Sequence, residues 1–128
     1  MKSISAICVL QGENFNPSEF VRLTTLNVKE IQRKGDIGLK GRYKGQEIPF
    51  GSLTIECLES EDCLDIITTQ LSMNKILLDK SGVSDIFLTL NLEYIDQCNW
   101  EFDNKLLSKI VDLNIQLSIS CWKGSDFQ

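Results

Sequence analysis

Alternating apolar and polar residues predict most of the secondary structure of this chain. The alternation is clearest over residues 85–94, where every second residue from 86 to 92 is Ile or Leu. A period of two places successive side chains on opposite faces of a β-strand. With glycine and proline as strand boundaries, the same analysis predicts five strands, at residues 4–10, 28–34, 50–58, 85–94 and 115–122.

Helix-start signals lie between these predicted strands. Asn16, Pro17 and Glu19 match a capping box with proline at the first helical position. Ser60 and Asp103 precede two further segments whose apolar residues recur at helical spacing. These signals predict a helix after each cap, and a break near residue 74 is compatible with a short additional helix.

The order of the predicted elements is β-α-β-β-α-β-α-β. Parallel strand pairs need helical crossovers, and one-sided alternation means that helices cover a single face of the sheet. A length of 128 residues suits one domain. We therefore expect a single α+β domain over residues 1–128, an open-faced mixed sheet of about five strands with two to three helices packed on one face.

A long loop with basic residues interrupts the pattern at residues 35–49. It contains four glycines and Pro49, with Lys40, Arg42 and Lys44 between them. The glycine spacing matches neither GxxxxGK[ST] nor GxGxxG. A mobile, solvated loop is therefore favoured over a site for phosphate or RNA.

Charge is distributed unevenly along the chain. The total is 13 Lys+Arg against 18 Asp+Glu, but residues 1–44 are net +4, residues 45–103 net −10 and residues 104–128 net +1. The densest acidic segment comprises Glu56, Glu59, Glu61, Asp62 and Asp65. Such a segment repels nucleic acid, whose binding depends on Lys and Arg, and attracts a basic protein. The alternative interpretation is a solvated helix start, where acidic residues favour the helix dipole.

The five cysteines indicate a reducing compartment. Their number is odd, their spacing contains no CxxC, and the chain has no His to complete a mixed zinc site. Cys8, Cys57 and Cys121 lie in apolar strand runs, where a free thiol acts as a small buried hydrophobe. No apolar run approaches the ~20 residues of a membrane span, and no signal-peptide pattern is present. We expect a cytoplasmic protein without metal or cofactor.

Catalysis is not expected from this composition. Without His, the common Ser–His and Cys–His pairs cannot form. A carboxylate pair among Glu93, Asp96 and Glu101 is the remaining enzymatic alternative. Scattered surface acids are far more common, so we expect a protein that is not an enzyme.

The uncovered sheet face is a second candidate surface. In the predicted strand 85–94, Phe87 lies on the same face as Thr89 and Asn91. In the last predicted strand, Trp122 lies on the same face as Ser118 and other polar residues. Aromatic side chains on a polar face are typical of interface centres. The alternatives are ordinary solvent exposure or coverage by the 35–49 loop.

Several short motifs follow one another along the chain. They are the strand ending at Gly12, the helix start FNPSEF at 15–20, RKGD at 33–36, GSLTIE at 51–56, TQL at 69–71 and LNI at 113–115. In these motifs the chain resembles a small bacterial family catalogued as domain of unknown function 4279. It departs from that family at Leu53, where an aromatic residue is expected, and at Ser120, where an acid is expected.

The resemblance implies an α+β fold without an established enzymatic activity. Small acidic bacterial domains of this kind resemble immunity proteins, the cognate inhibitors of toxin domains delivered between cells. The expected partner is such a toxin, a nuclease with a basic cleft, covered by the acidic segment together with Phe87 and Trp122. Direct binding to nucleic acid or membrane is not expected. The alternative is a non-catalytic structural or regulatory homo-oligomer that pairs as a homodimer through its open sheet.

Overall fold

Five strands form one mixed sheet in the computed structural model, which describes residues 3–22 and 27–125. They are β1 (Ser3–Gly12), β2 (Asn27–Gln32), β3 (Gly51–Leu58), β4 (Asp85–Tyr94) and β5 (Ile115–Lys123). Their spatial order is β2-β3-β1-β4-β5, and only the β4–β5 pair is parallel. The fold class expected from the sequence, α+β with an open five-stranded mixed sheet, is confirmed.

Four helices accompany the sheet where the sequence predicted two to three. They are α1 (Pro17–Val21), α2 (Cys63–Met73), α3 (Lys75–Ser81) and α4 (Asn104–Asp112). The larger number arises because the chain breaks between α2 and α3 at Asn74, whose amide Nδ2 donates to the carbonyl oxygen of Gln70 at 2.8 Å. No helix in the described part of the chain is long and apolar enough to cross a membrane.

The helix caps were predicted correctly at two of three positions. The Asn16 side chain accepts a hydrogen bond from the Ser18 amide at 3.2 Å, and Asp103 Oδ1 accepts one from the Leu106 amide at 2.8 Å. Ser60 is not the cap of α2, because the helix begins at Cys63. The Ser60 hydroxyl instead accepts from the Asp62 amide at 3.1 Å, which stabilises the turn before the helix.

The hydrophobic core lies between the helices and one face of the sheet. Alternate residues of the central strands contribute to it, because successive side chains point to opposite faces. These strand residues are Ile4, Ala6, Cys8, Leu10, Leu53, Ile55, Ile86, Leu88, Leu90 and Leu92. The main helix residues are Phe20, Leu64, Ile67, Leu71, Leu78, Leu106 and Ile110.

Backbone hydrogen bonds organise the segment between β2 and β3. The Gly35 amide donates to the Ile48 carbonyl at 2.8 Å, and the Ile48 amide donates to the Asp36 carbonyl at 2.8 Å. The ring of Tyr43 meets that of Phe50 edge-on, with centroids 5.8 Å apart. The segment therefore has a defined resting conformation, and its mobility stays a prediction.

Candidate partner-binding surface

The sheet face opposite the helices, called the open face below, has an apolar centre. Val9 of β1 is paired with Phe87 of β4, and the neighbouring open-face residue of β1 is Ile7. All three side chains are half-buried. Sequence analysis identified Phe87 but missed the other two residues. The sequence did contain a signal for them, because β1 has apolar residues at both its even and its odd positions. That pattern is typical of a strand with two apolar faces.

Carboxylates surround this apolar centre. Glu30 lies opposite Thr54, and strand parity also places Glu56, Asp85 and Glu93 on the open face. None of the described residues that strand pairing places on this face is Lys or Arg, and the exposed Lys29 lies at the bulge of β2, outside that pairing. The Ser3 hydroxyl donates to Glu93 Oε2 at 3.4 Å. The open face is therefore acidic, although its centre is apolar.

Trp122 lies on the open face, at one end of it. It is paired with Glu93 in the parallel β4–β5 register and is 44% exposed. Phe87 lies six residues away from Glu93 along β4, a distance of about 20 Å at the usual rise per residue. The two aromatic residues share a face, as strand parity predicted, but they are not neighbours.

The acidic segment found in the sequence wraps around the same end of the sheet. The Glu59 amide donates to the carbonyl of Ile4 at 2.9 Å, beside the row that contains Glu93 and Trp122. The chain then turns from the open face to the helix layer. We define the acidic end as Glu56, Glu59, Glu61, Asp62, Asp65 and Glu93.

The acidic segment is consequently divided between two faces. Glu56 lies on the open face and is half-buried, whereas Asp65 lies in the first turn of α2, on the helix side. Glu59, Glu61 and Asp62 are exposed along the end that joins these faces. The five carboxylates that the sequence groups into one segment are therefore distributed over the open face, the connecting turn and the helix side.

Basic residues occupy the opposite end of the sheet. The loop between β2 and β3 begins after Gln32, which pairs with Ser52 far from the acidic end. Its basic residues are Arg33, Lys34, Lys40, Arg42 and Lys44. Arg33 Nε donates to Ser18 Oγ at 3.0 Å, and the Arg42 guanidinium lies 5.5 Å from the centre of the Tyr43 ring. The acidic end and this basic loop therefore lie at opposite ends of the sheet, although Asp85 lies near the loop and Lys123 lies at the acidic end.

The residues of the enzymatic alternative also lie near the acidic end. Glu93 is half-buried, whereas Asp96 and Glu101 are exposed in the connection between β4 and α4. Within residues 3–22 and 27–125, no group of three or more His, Cys, Asp or Glu could hold a metal ion.

The five thiols occupy contrasting environments. Burial raises the pKa of Cys8 from 9.0 to about 12. Burial, and secondarily a hydrogen bond with the Cys57 thiol, raises the pKa of Cys63 to about 12. The expectation of a buried side chain holds for Cys8, holds only in part for the half-buried Cys57, and is wrong for Cys121, which is exposed.

Cys121 is exposed because β5 is an edge strand that the helices cover only in part. Leu117, on the same side of β5, is half-buried, whereas Ile119 is already 50% exposed. Cys121 Sγ lies 3.0 Å from the Sγ of Cys98, and this hydrogen bond, more than burial, raises the pKa of Cys121.

No protein-family model, curated protein or solved structure matches this chain.

Proposed function

We propose that this protein is a small immunity protein that binds and neutralises a cognate toxin domain, a nuclease, by covering its basic active cleft. The observation that supports this proposal best is the acidic end, whose six carboxylates lie on or next to a sheet face that carries no Lys or Arg among its described, register-paired residues. A nuclease cleft is basic because it neutralises phosphates. The motif resemblance to domain of unknown function 4279 is consistent with the same class.

The two parts of the surface supply different contributions to binding. Exposed carboxylates steer a basic partner toward the acidic end and accelerate association, by about 10–10³-fold at low salt. Short-range affinity comes from burial of apolar and aromatic side chains, here Ile7, Val9, Phe87 and Trp122. Charge therefore sets the rate and orientation of docking, and the apolar centre holds the complex together.

The open face supplies most of the area that this role requires. A stable interface of standard size takes about 800 Å² from each partner. The accessible surface of the protein is 8086 Å², so such an interface needs about a tenth of it. Five strands at about 4.8 Å spacing span about 20 Å, and the longest run for about 30 Å. The open face therefore covers about 600 Å², and the acidic end must supply the rest of a standard interface.

The cytoplasm is the proposed site of action. An inhibitor that protects the cell producing it must meet the toxin where the toxin's substrate lies. The acidic field opposes direct binding to nucleic acid, so the partner is the toxin itself.

Co-expression tests this function. The gene immediately upstream is expressed from an inducible promoter with and without this protein, while growth and co-purification are followed. We expect the upstream product to stop growth and this protein to restore it as a co-purifying complex. Combined Glu59→Lys, Glu61→Lys and Asp62→Lys substitutions should abolish the rescue, because the steering charges become repulsive.

A matched control reverses three acids at the other end of the sheet. Glu13→Lys, Glu19→Lys and Glu47→Lys change the formal charge equally at exposed positions. This variant should still rescue growth, and the wild-type association rate should fall at least about tenfold between low and high salt. Equal loss of rescue in both variants, or a non-toxic upstream product that does not co-purify, would contradict the proposal.

A second candidate function is a homo-oligomeric module. The observation that favours it is β5, an edge strand whose residues 115–122 contain no charged side chain and no proline. Edge strands usually carry such residues to prevent pairing with another chain. A second copy could therefore add its own strand to β5.

A further inference from the structure

Two thiols meet at the margin of the fold, on the side of β5 that faces the helix layer. Cys98 lies in the connection between β4 and α4, half-buried against the core, and Cys121 lies near the end of β5. Their sulfur atoms are 3.0 Å apart. A disulfide bond is about 2.0 Å long, so a shift of about 1 Å separates this arrangement from a covalent bond.

Access distinguishes this pair from the other cysteines. Cys8 is fully buried and is surrounded by core residues. Cys57 and Cys63 are also close, but Cys63 is fully buried and its thiol donates to the Cys57 carbonyl at 3.2 Å. A solute can reach Cys121, which is exposed, and its partner Cys98 is already in place beside it. Thiol–disulfide exchange requires such access for the attacking sulfur.

We propose that Cys98 and Cys121 form a dithiol site that reacts with a low-molecular-weight disulfide, such as oxidised glutathione, and closes to an intramolecular disulfide. The proposal is independent of the toxin-binding function.

The reaction proceeds in two balanced exchange steps. The Cys121 thiol loses its proton, and its thiolate attacks one sulfur of oxidised glutathione, which forms a mixed disulfide and releases one glutathione thiolate. The Cys98 thiolate then attacks Cys121 Sγ, which forms the Cys98–Cys121 bond and expels the second glutathione. Two protein thiols are oxidised, one small disulfide is reduced to two thiols, and the released thiolates take up the two protons.

The disulfide would tie an edge strand to the body of the protein. β5 is held on one side by β4 and has a free edge on the other. The covalent link closes a loop that contains α4 and most of β5, and closing a loop restricts the unfolded chain. It also restrains the backbone next to Trp122, which points to the opposite face of the strand.

Peptide mapping of the isolated protein tests the site without any substitution. The reduced protein is equilibrated with mixtures of reduced and oxidised glutathione, quenched with acid, alkylated and digested with trypsin. Cleavage after lysine places Cys98 in peptide 81–105, Cys121 in peptide 110–123 and the Cys57/Cys63 pair together in peptide 45–75. We expect peptides 81–105 and 110–123 to be linked in monomeric protein, while peptide 45–75 stays reduced.

Single-serine variants identify the entry thiol. In Cys98→Ser the reaction should stop at glutathione bound to Cys121, and in Cys121→Ser the half-buried Cys98 should react at least about tenfold more slowly. The matched control Cys57→Ser should still form the link. Oxidation should also raise the urea midpoint of the wild type but not that of Cys121→Ser.

The proposal is overturned if the wild type accumulates only mixed disulfides, or if the linked peptides come only from covalent dimers.

Discussion

At the scale of single residues, burial separates thiols that look equivalent in the sequence. Cys8 and Cys121 both occupy alternating apolar positions of predicted strands. Cys8 lies in a central strand and is fully buried, whereas Cys121 lies in an edge strand and is exposed. The difference arises because strand order decides which apolar residues a helix covers, and local sequence does not specify that order.

The buried thiol of Cys8 should make the protein less stable in alkali. Its pKa is about 12 in the folded state against 9.0 for an exposed thiol. The folded state therefore keeps the proton that the unfolded state loses, so the stabilisation is complete below about pH 9 and declines as the pH rises from there toward 12. The decline is at most about 1.4 kcal/mol per pH unit.

Cys8→Ala isolates this effect. Urea unfolding of wild type and variant is compared at about pH 8 and about pH 10.5. We expect the wild type to be more stable by about 1 kcal/mol at the lower pH, because alanine leaves a small cavity. That difference should shrink or reverse at the higher pH, since only the wild type carries the titrating thiol at this position. A difference independent of pH would contradict the assignment.

At the scale of elements, two helices have an aspartate at the N-cap, but only one of the two aspartates forms a capping hydrogen bond. Asp103 Oδ1 accepts the Leu106 amide, whereas Asp62, at the N-cap of α2, makes no side-chain capping bond. The Asp103 cap was predictable because its partner lies three residues away. The start of α2 was not, because Ser60 forms a turn with the Asp62 and Cys63 amides before the helix begins at Cys63.

The two aspartates make a matched test of capping. Asp103→Ala should lower the free energy of unfolding by about 1 kcal/mol, because the Leu106 amide loses its partner. Asp103→Asn should retain most of the stability, since its side-chain oxygen can accept the same bond. Asp62→Ala should change stability by less than about 0.5 kcal/mol. Equal losses in the two alanine variants, measured by urea unfolding, would show that the cap at α4 carries no specific stabilisation.

At the scale of the whole molecule, the topology places the acidic end and the basic loop at opposite ends of the sheet. The acidic end collects the last residues of β3 and β4, and the basic loop lies where β2 ends. Glu93 belongs to the acidic end although it lies far along the chain from Glu56. The separation follows from antiparallel pairing, which brings chain segments of distant sequence to one end of the sheet.

The same charge distribution opposes self-association through the open face. A two-fold dimer would bury the same surface of both copies, and would therefore bring carboxylates of one open face, such as Glu56 and Asp85, close to carboxylates of the other. Like charges placed together in this way destabilise the contact. We therefore expect the protein alone to sediment as a 14.5 kDa monomer over the micromolar range.

The remaining way to form a dimer is for a second copy to pair its strand with β5. A single substitution tests this possibility. Sedimentation velocity of wild type and Ser118→Lys distinguishes the outcomes, because lysine on an edge strand opposes pairing. A wild-type dimer that becomes monomeric on substitution would favour the homo-oligomeric module over the immunity function. A monomer in both samples agrees with the proposed function.

Local sequence predicted most of the elements but not their order in the sheet. The alternation of apolar and polar residues predicted both end residues of β4 correctly. The caps at Asn16 and Asp103 were predicted because the amides that they bind lie within one helical turn. The pattern also identified the α+β class, since one-sided strands require helices on a single face.

Tertiary structure alone decided which distant residues meet. The bond from Glu59 to Ile4 carries the acidic segment to the end of the sheet, and the fold brings Cys98 to Cys121. These contacts depend on strand order and register, which arise from the packing of the whole core. The proposed partner surface and the proposed dithiol site therefore both lie where the folded chain, and not its local pattern, brings residues together.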